Sequence, residues 1–155
     1  MIRKSLVFAS LFFVALASGG SFVVYLLYNP ATMQPASWIA MLQHGMHVLI
    51  PLAVALNLGL VFTIVSAILA RGERVSLYVL GAASLCLVGA VLVTVLGNWP
   101  INDQIGMWNL TAPPSNWTEV SHEWWRLHVA RTSLVIGALT LVILATVRRE
   151  ALKAL

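Results

Sequence analysis

Charged residues are scarce in this chain of 155 residues, where they make up 9% of the sequence against 60% hydrophobic residues. Soluble domains carry about a quarter charged residues, so a soluble fold of this size does not fit the composition. Three stretches contain no Asp, Glu, Lys or Arg, namely Ser5–Ala70, Val75–Asn102 and Thr132–Val147. The composition therefore indicates a membrane protein whose solvent is lipid.

Two further absences narrow the class of protein. Cys86 is the only cysteine, which excludes a disulfide within the chain, and its apolar surroundings predict a small buried hydrophobe. A basic patch is also missing, because the net charge of +4 comes from Lys and Arg at the ends of apolar segments. Such residues set membrane orientation. We therefore expect no nucleic acid as a partner.

Four apolar segments are long enough to cross a bilayer, whose hydrocarbon core of about 30 Å needs about 20 helical residues. The first, Ser5–Tyr28, follows Arg3 and Lys4 and resembles a secretory signal. Its uncharged run is too long for the apolar region of a signal, which predicts a retained helix. The other three segments are His47–Ala70, Val75–Leu96 and roughly His128–Val147.

Two of the four helices are predicted to extend beyond the membrane on the same side. Ser37 after Pro35 signals a helix start, and Asn116 with Glu119 resembles a capping box. Pro51 is expected to bend the second helix. We therefore expect an all-α bundle of four transmembrane helices with a small helical cap on the outer side, in one domain over residues 1–155. The predicted helices cover about 5–28, 37–70, 75–96 and 116–149.

The distribution of Lys and Arg predicts the orientation of the bundle. Seven of the nine basic residues lie near the two termini or in the turn Arg71–Arg74, whereas the loop Asn29–Met46 contains none. The positive-inside rule places this basic side, with both termini, in the cytoplasm. The opposite side then carries all four histidines and faces the periplasm or exterior, as expected for an integral protein of a bacterial inner membrane.

Polar side chains from three predicted helices converge near the outer boundary of the membrane. Counting about 1.5 Å per helical residue places His47, Asn98, His128 and Arg131 at this level. Trp124, His128 and Arg131 share one helix face through their i, i+4, i+7 spacing. Because ionisable groups at membrane depth usually face a cavity and mark function, we expect a pocket here. We also expect Arg131 to point into the bundle and bond a group of the Asn98–Asp103 segment.

Two motifs resemble those of a known family. Asn98-Trp99-Pro100-Ile101-Asn102 follows the third predicted helix, and Trp124-x3-His128-x2-Arg131-Thr132 opens the fourth. Together with four helices in about 150 residues, these motifs resemble the anthrone oxygenase-like membrane family over roughly Trp38–Leu144. The chain departs from the family pattern at His128, where the family often has Asn.

The resemblance implies an oxidoreductase that oxidises a flat, lipophilic, phenolic substrate of the polyketide type with molecular oxygen. An anthrone has an acidic methylene, and its enolate can react with oxygen directly. The protein must then supply a base, donors for the enolate oxygen and an aromatic pocket. The expected catalytic residues are His47, His128, Asn102 and Arg131. The expected substrate-binding residues are His44, Asn98, Trp108, Trp117 and Trp124.

Several alternatives stay open at this point. No cofactor is predicted, but a metal held by His44, His47, His128 and Asp103, or a haem between His47 and His128, is an alternative. A non-catalytic membrane protein that binds a lipophilic ligand or a partner is the alternative function, because no motif is a signature of catalysis. The expected partners are the lipid bilayer and a lipophilic small molecule, and a homo-oligomer remains open.

The predicted orientation can be tested with cysteines introduced at the ends of the helices. Ala31→Cys and Ser115→Cys should react with a membrane-impermeant thiol reagent in intact cells, and Gly72→Cys should not, because the positive-inside rule places Gly72 in the cytoplasm. The reagent should leave the parent chain with its native Cys86 unlabelled. Labelling at Gly72 alone would reverse the orientation.

Overall fold

The chain is helical almost throughout the part described by the computed structural model, which covers residues 2–153, with side chains to residue 148. Four helical stretches of this part are long and apolar enough to cross a membrane. They confirm the predicted all-α architecture of four membrane-capable helices. The helices are α1 (Ile2–Leu27), α2 (Pro35–Val48), α3 (Ile50–Leu69), α4 (Arg74–Val93), α5 (Trp99–Gly106) and α6 (Trp117–Lys153), with a 3₁₀ turn at Pro30–Thr32 and a π-helical turn at Thr94–Asn98.

The four long helices form a closed ring in which neighbours run antiparallel. α3 lies against α1, α4 against α3, and α6 packs against both α4 and α1. Ser10 of α1 bonds Thr63 of α3, whereas Gly20, further along α1, lies against Leu52 near the start of α3. The two helices therefore run in opposite directions. The same ring brings the first part of α6 beside the last turns of α1.

Small side chains fill the interior of the bundle, and large ones face outward. Ala17, Ala83 and Val135 are at most 1% exposed, whereas Phe8 and Leu85 are 69% and 73% exposed. Lipid tails are as apolar as leucine, so burying large hydrophobes between membrane helices brings little gain. Small residues instead let the helix backbones approach and gain van der Waals contact. This distribution is the one expected for a bundle surrounded by lipid.

Helices α1 and α3 approach each other closely at Gly59. A Cβ atom on Gly59 would lie 2.9 Å from Cγ2 and 3.2 Å from the backbone nitrogen of Val14, so the position has no room for a side chain. One turn further along α3, the Thr63 hydroxyl donates to the Gly59 carbonyl at 2.7 Å. Since that proton is engaged, the Ser10 hydroxyl donates to Thr63, at 2.6 Å.

The bounds of the second and third membrane helices differ from those predicted from the sequence. The second, expected as one helix with a bend at Pro51, is divided at Leu49 into α2 and α3, with Pro51 in the first turn of α3. The third was expected to end near Leu96 but continues through the π-helical turn into α5. Pro100 does not stop it, because a first-turn proline lacks only an N–H that the helix does not use.

Helices α2 and α5 cover one end of the bundle and enclose a second apolar cluster, here called the aromatic cap. Its buried members are Val24, Tyr28, Trp38, Ile39, Leu42, Ile105 and Trp124. Gln43 of α2 joins the two short helices by donating from Nε2 to the carbonyls of Ile105 and Trp108, at 2.9 and 3.1 Å. At the opposite end of the bundle, Arg3 pairs with Glu73 at 3.2 Å.

Gly59→Ala should destabilise the bundle by about 1–3 kcal/mol, since the added methyl forces α1 and α3 apart. The matched control is Gly81→Ala on α4, where an added Cβ meets no atom within 4 Å. This control should be neutral or stabilising by up to about 1 kcal/mol, because alanine favours the helix over glycine. Thermal unfolding in detergent measures both. Equal effects of the two variants would contradict the close approach.

Candidate functional site

The face of α6 that carries Trp124, His128 and Arg131 turns into the bundle near the aromatic cap. Trp124 is 4% exposed and His128 is fully buried, while Arg131 is half-buried one turn further along. Residues spaced i, i+4 and i+7 lie along one face of a helix. Because Trp124 and His128 are buried on this face, Arg131 lies at the same interface. The interface is the one between α6 and the last turns of α1.

His128 uses both ring nitrogens in hydrogen bonds. Nε2 lies 3.1 Å from the backbone carbonyl of Ser21 on α1 and 3.2 Å from Thr132 Oγ1. Arg131 approaches the other nitrogen, Nδ1, at 2.7 Å through a terminal guanidinium nitrogen. A carbonyl only accepts and a guanidinium only donates, so the ring is a neutral imidazole that carries its proton on Nε2. The lone pair of Nδ1 faces Arg131.

Two asparagines before and within α5 hold Trp124 in place. Asn98, the last residue of the π-helical turn, donates from Nδ2 to the carbonyl of Trp124 at 3.1 Å. Asn102 accepts from the indole Nε1 of the same residue at 2.7 Å. The π-helical turn carries one residue more than an α-turn, and such turns frequently occur at functional sites. The arrangement fixes both the backbone and the ring of Trp124.

Aromatic rings surround the imidazole on the side of the cap. The Trp124 indole is stacked with the His128 ring at a centroid distance of 5.2 Å and an angle of 5°, and Trp125 at 5.9 Å and 22°. Trp38 meets Trp124 edge-on at 5.7 Å, and its own Nε1 donates to the Tyr28 carbonyl at 2.9 Å. The site is therefore lined with flat apolar surfaces, and the indole N–H groups of Trp38 and Trp124 are hydrogen-bonded.

Two polar atoms of this cluster have unused hydrogen-bonding capacity. Asn98 Oδ1 and Arg131 Nε are buried and lack a partner among the described residues. Buried polar atoms almost always have a partner, and one left without costs about 1–3 kcal/mol. The first is an acceptor and the second a donor. The cluster thus offers both kinds of group to a bound molecule.

The structure brings together five of the nine residues predicted for the site, and it places the other four elsewhere. Asn98, Asn102, Trp124, His128 and Arg131 form the connected cluster. His44 and His47 are exposed on α2 and make no hydrogen bond, ion pair or ring contact with residues 2–148. Trp108 packs against the aromatic cap, and Trp117 is half-buried at the start of α6.

The predicted partner of Arg131 is wrong. Arg131 bonds His128, three residues before it on α6, and no group of the Asn98–Asp103 segment. The physical reason is that the amides of Asn98 and Asn102 already bind Trp124, whereas residues three apart on a helix are neighbours. The prediction that the guanidinium is directed inward holds, since its Nε is buried.

The metal alternative does not fit this geometry. Among the described residues, no group of three or more His, Cys, Asp or Glu side chains could hold a metal ion, so the expected set of His44, His47, His128 and Asp103 is not assembled. The haem alternative needs His47 and His128 to face each other, but His128 is fully buried between α6 and α1. His47 lies on the exposed face of α2.

Sequence reasoning missed three contributors to the cluster. Thr132 was noted only as part of a motif, although its i+4 spacing from His128 would have suggested the contact. Trp125 was not among the predicted site residues, yet it stacks on His128 and on Tyr25 of α1. Ser21 contributes its backbone carbonyl, for which no side-chain pattern gives a signal.

The hydrogen bond between Trp124 and Asn102 should be visible in a double-mutant cycle. Trp124→Phe and Asn102→Ala each remove the same bond, so each should lower stability by about 1 kcal/mol or more through its loss. The combined variant should lose less than the sum of the two, because the bond can be removed only once. Thermal unfolding in detergent supplies the values, and strictly additive losses would show that the bond contributes nothing.

Comparison with protein families gave a match. The family model described as Anthrone oxygenase matches residues 38–141, about two thirds of the chain, from Trp38 in α2 to Leu141 in α6. Neither the comparison with curated proteins nor that with solved structures gave a match. All five residues of the cluster lie within the matched range. The chain therefore belongs to the anthrone oxygenase family.

Proposed function

We propose that the chain is a membrane oxidoreductase that oxidises the methylene of a flat, lipophilic, anthrone-like phenol with molecular oxygen. The observation that carries the proposal is the buried neutral imidazole of His128, whose Nδ1 lone pair faces a guanidinium beneath stacked indoles. A base, a hydrogen-bond donor for an anion and a flat apolar surface are the three groups that the reaction needs. Family membership supports the same chemistry.

His128 is the proposed base. Its Nδ1 takes one methylene proton from the substrate, leaving an enolate whose carbon adds oxygen to form a peroxide. The imidazolium returns the proton to the peroxide. Loss of the second methylene proton then cleaves the O–O bond, so that one oxygen atom stays on the carbon as a carbonyl and the other leaves as water. The Ser21 carbonyl and Thr132 hold the Nε2–H tautomer, which presents Nδ1 as the basic nitrogen.

Arg131 is the proposed donor to the enolate oxygen. A guanidinium that donates to Nδ1 at rest can turn to an anion that forms beside it, and its free Nε–H can add a second bond. Asn102 and Asn98 keep the Trp124 ring in place for stacking on the substrate, and Asn98 Oδ1 can accept from a phenolic hydroxyl.

The remaining predicted residues receive outer roles. Four predicted residues, His44, His47, Trp108 and Trp117, lie on or before the helices around the cap, and we assign them to the rim rather than to the reacting centre.

We further propose that this end faces the non-cytoplasmic side of a bacterial inner membrane, as the distribution of basic residues predicts. The bilayer and a lipophilic small molecule are then the partners, with a homo-oligomer still open.

A second candidate function has one specific observation in its favour. Both nitrogens of His128 are already bonded within the protein, which is the arrangement of a purely structural tie between α6 and α1. The chain would then bind a lipophilic molecule without changing it. Oxygen uptake separates the two functions.

His128→Ala should lower the turnover of an anthrone by about 10²–10⁴-fold, the usual contribution of a positioned acid or base. Oxygen uptake and the absorbance of the quinone measure the rate in proteoliposomes. His122→Ala is the matched control, an exposed histidine on the same helix, and it should keep the parental rate. Full activity of His128→Ala would remove the proposed base, and an inactive parental protein would favour the second function.

Arg131→Lys should also lower turnover, because an ammonium group does not reproduce the planar fork whose Nε–H and terminal N–H groups can bond the enolate oxygen together. The loss should appear in kcat more than in KM, since the bond to the enolate strengthens as negative charge develops. A lysine variant with parental kcat would show that charge alone suffices at this position.

A further inference from the structure

A line of near-parallel aromatic rings leads from the outside of the bundle to His128. Phe22 stacks with Tyr25 at 6.0 Å and 16°, Tyr25 with Trp125 at 5.1 Å and 17°, and Trp125 with His128 at 5.9 Å and 22°. The first two rings belong to α1 and the last two to α6, so the line crosses from one helix to the other. We call this line the ring stack.

Exposure falls steadily along the ring stack. Phe22 and Tyr25 are 46% and 38% exposed, Trp125 is half-buried, and His128 is fully buried. The outer two rings lie on a helix that is long and apolar enough to cross a membrane, so the surface they expose is available to lipid. The ring stack therefore joins the lipid-facing side of the bundle to the site, between α1 and α6.

The end of the bundle offers a poorer route to the same place. There α2 and α5 close over Trp38, Ile105 and Trp124, and Gln43 binds the two helices together. A flat lipophilic compound is also concentrated in the bilayer rather than in water, because transfer of apolar surface out of water is favourable. Entry from the side avoids both the cap and the aqueous phase.

The near-parallel stacking also allows a planar ligand to replace one of the rings in the stack. A planar ligand that lies on Trp125 makes the same kind of contact that the Tyr25 ring makes now. Tyr25 is partly exposed and makes ring contacts only, so it can turn outward without leaving a buried polar group unpaired. The displaced side chain remains amphipathic and suits the surface of the bundle.

We propose that flat aromatic ligands enter from the bilayer between α1 and α6 and bind by taking the place of Tyr25 on Trp125, one ring away from His128. The inference rests on the proposed function for the nature of the ligand, but binding alone suffices to test it. The ring stack is thus a binding site for planar, lipophilic polycyclic compounds, with Trp125 as its inner face.

The test measures binding of 9,10-anthraquinone to the full chain in phosphatidylcholine vesicles by quenching of tryptophan fluorescence. Trp125→Ala should weaken binding by roughly three- to tenfold, the effect of losing one aromatic pair. Tyr25→Ala should strengthen binding and speed the approach to equilibrium, because it removes the ring that the ligand displaces from Trp125, and Tyr25→Phe should keep the parental affinity and rate. Perhydroanthracene has the same carbon skeleton without aromatic faces, and it should not compete.

Phe12→Ala is the matched control on α1. Phe12 is 48% exposed and stacks with Phe8 at 6.3 Å and 20°, but its other ring contact, with Phe13, is edge-on at 79°. The control should leave both affinity and rate unchanged. Equal effects of Phe12→Ala and Tyr25→Ala, parental binding by Trp125→Ala, or no binding by the parental protein would overturn the proposal. Binding through the ring stack without oxygen uptake would support the site while removing the proposed oxidation.

Discussion

A neutral imidazole buried between apolar helices must find a partner for each nitrogen, and the partners of His128 determine how α6 meets α1. The Ser21 carbonyl accepts a hydrogen bond from Nε2–H, which ties the two helices at one depth. The Arg131 guanidinium donates to Nδ1. This acceptor allows the charged guanidinium to lie in the interface. Either nitrogen left bare would cost the desolvation of a polar group with no water to replace the bond. The aromatic rings pack around this pair of bonds.

The lipid environment explains why the rest of the fold relies on close contact rather than on large buried side chains. The α1–α3 contact depends on Gly59 against Val14, and on the hydroxyl chain from Ser10 through Thr63 to a backbone carbonyl. Because lipid tails and the helix interior are similarly apolar, the hydrophobic effect contributes little to helix association. Packing and internal hydrogen bonds then hold the helices together. The aromatic cap differs from this core, since bulky rings are buried there beneath two short helices.

Most of the fold could be predicted because it depends on the length and the summed hydropathy of continuous segments of the chain. Length and hydropathy located the membrane-capable helices, and Pro51 marked the break before α3. The continuation of α4 into α5 could not be predicted, since no residue of Thr94–Asn98 differs in propensity from its neighbours in a way that signals a π-helical turn. The depth argument correctly grouped Asn98, His128 and Arg131.

The site was predicted less completely because pairing depends on direction as well as depth. His47 has a depth comparable to that of His128 by residue count, but it lies on an exposed face of α2, and the break at Leu49 separates that helix from the axis of α3. Arg131 has the depth needed to meet Asn102, but both asparagines are already bound to Trp124. A backbone acceptor such as the Ser21 carbonyl cannot be recognised from the pattern of side chains in the sequence.

The pairing of Arg131 with His128 also has a consequence for the proposed reaction. At rest the guanidinium occupies the lone pair that a base needs, so His128 cannot take a proton until Arg131 turns elsewhere. A substrate that offers a carbonyl or enolate oxygen provides the competing acceptor, and the unpartnered Nε–H of the same guanidinium strengthens that choice. Binding of the correct ligand would then release the base at the moment when the stabilising donor moves to the reacting oxygen. In this chain the residue beside Arg131 is a histidine, a side chain that can accept a proton once its lone pair is released.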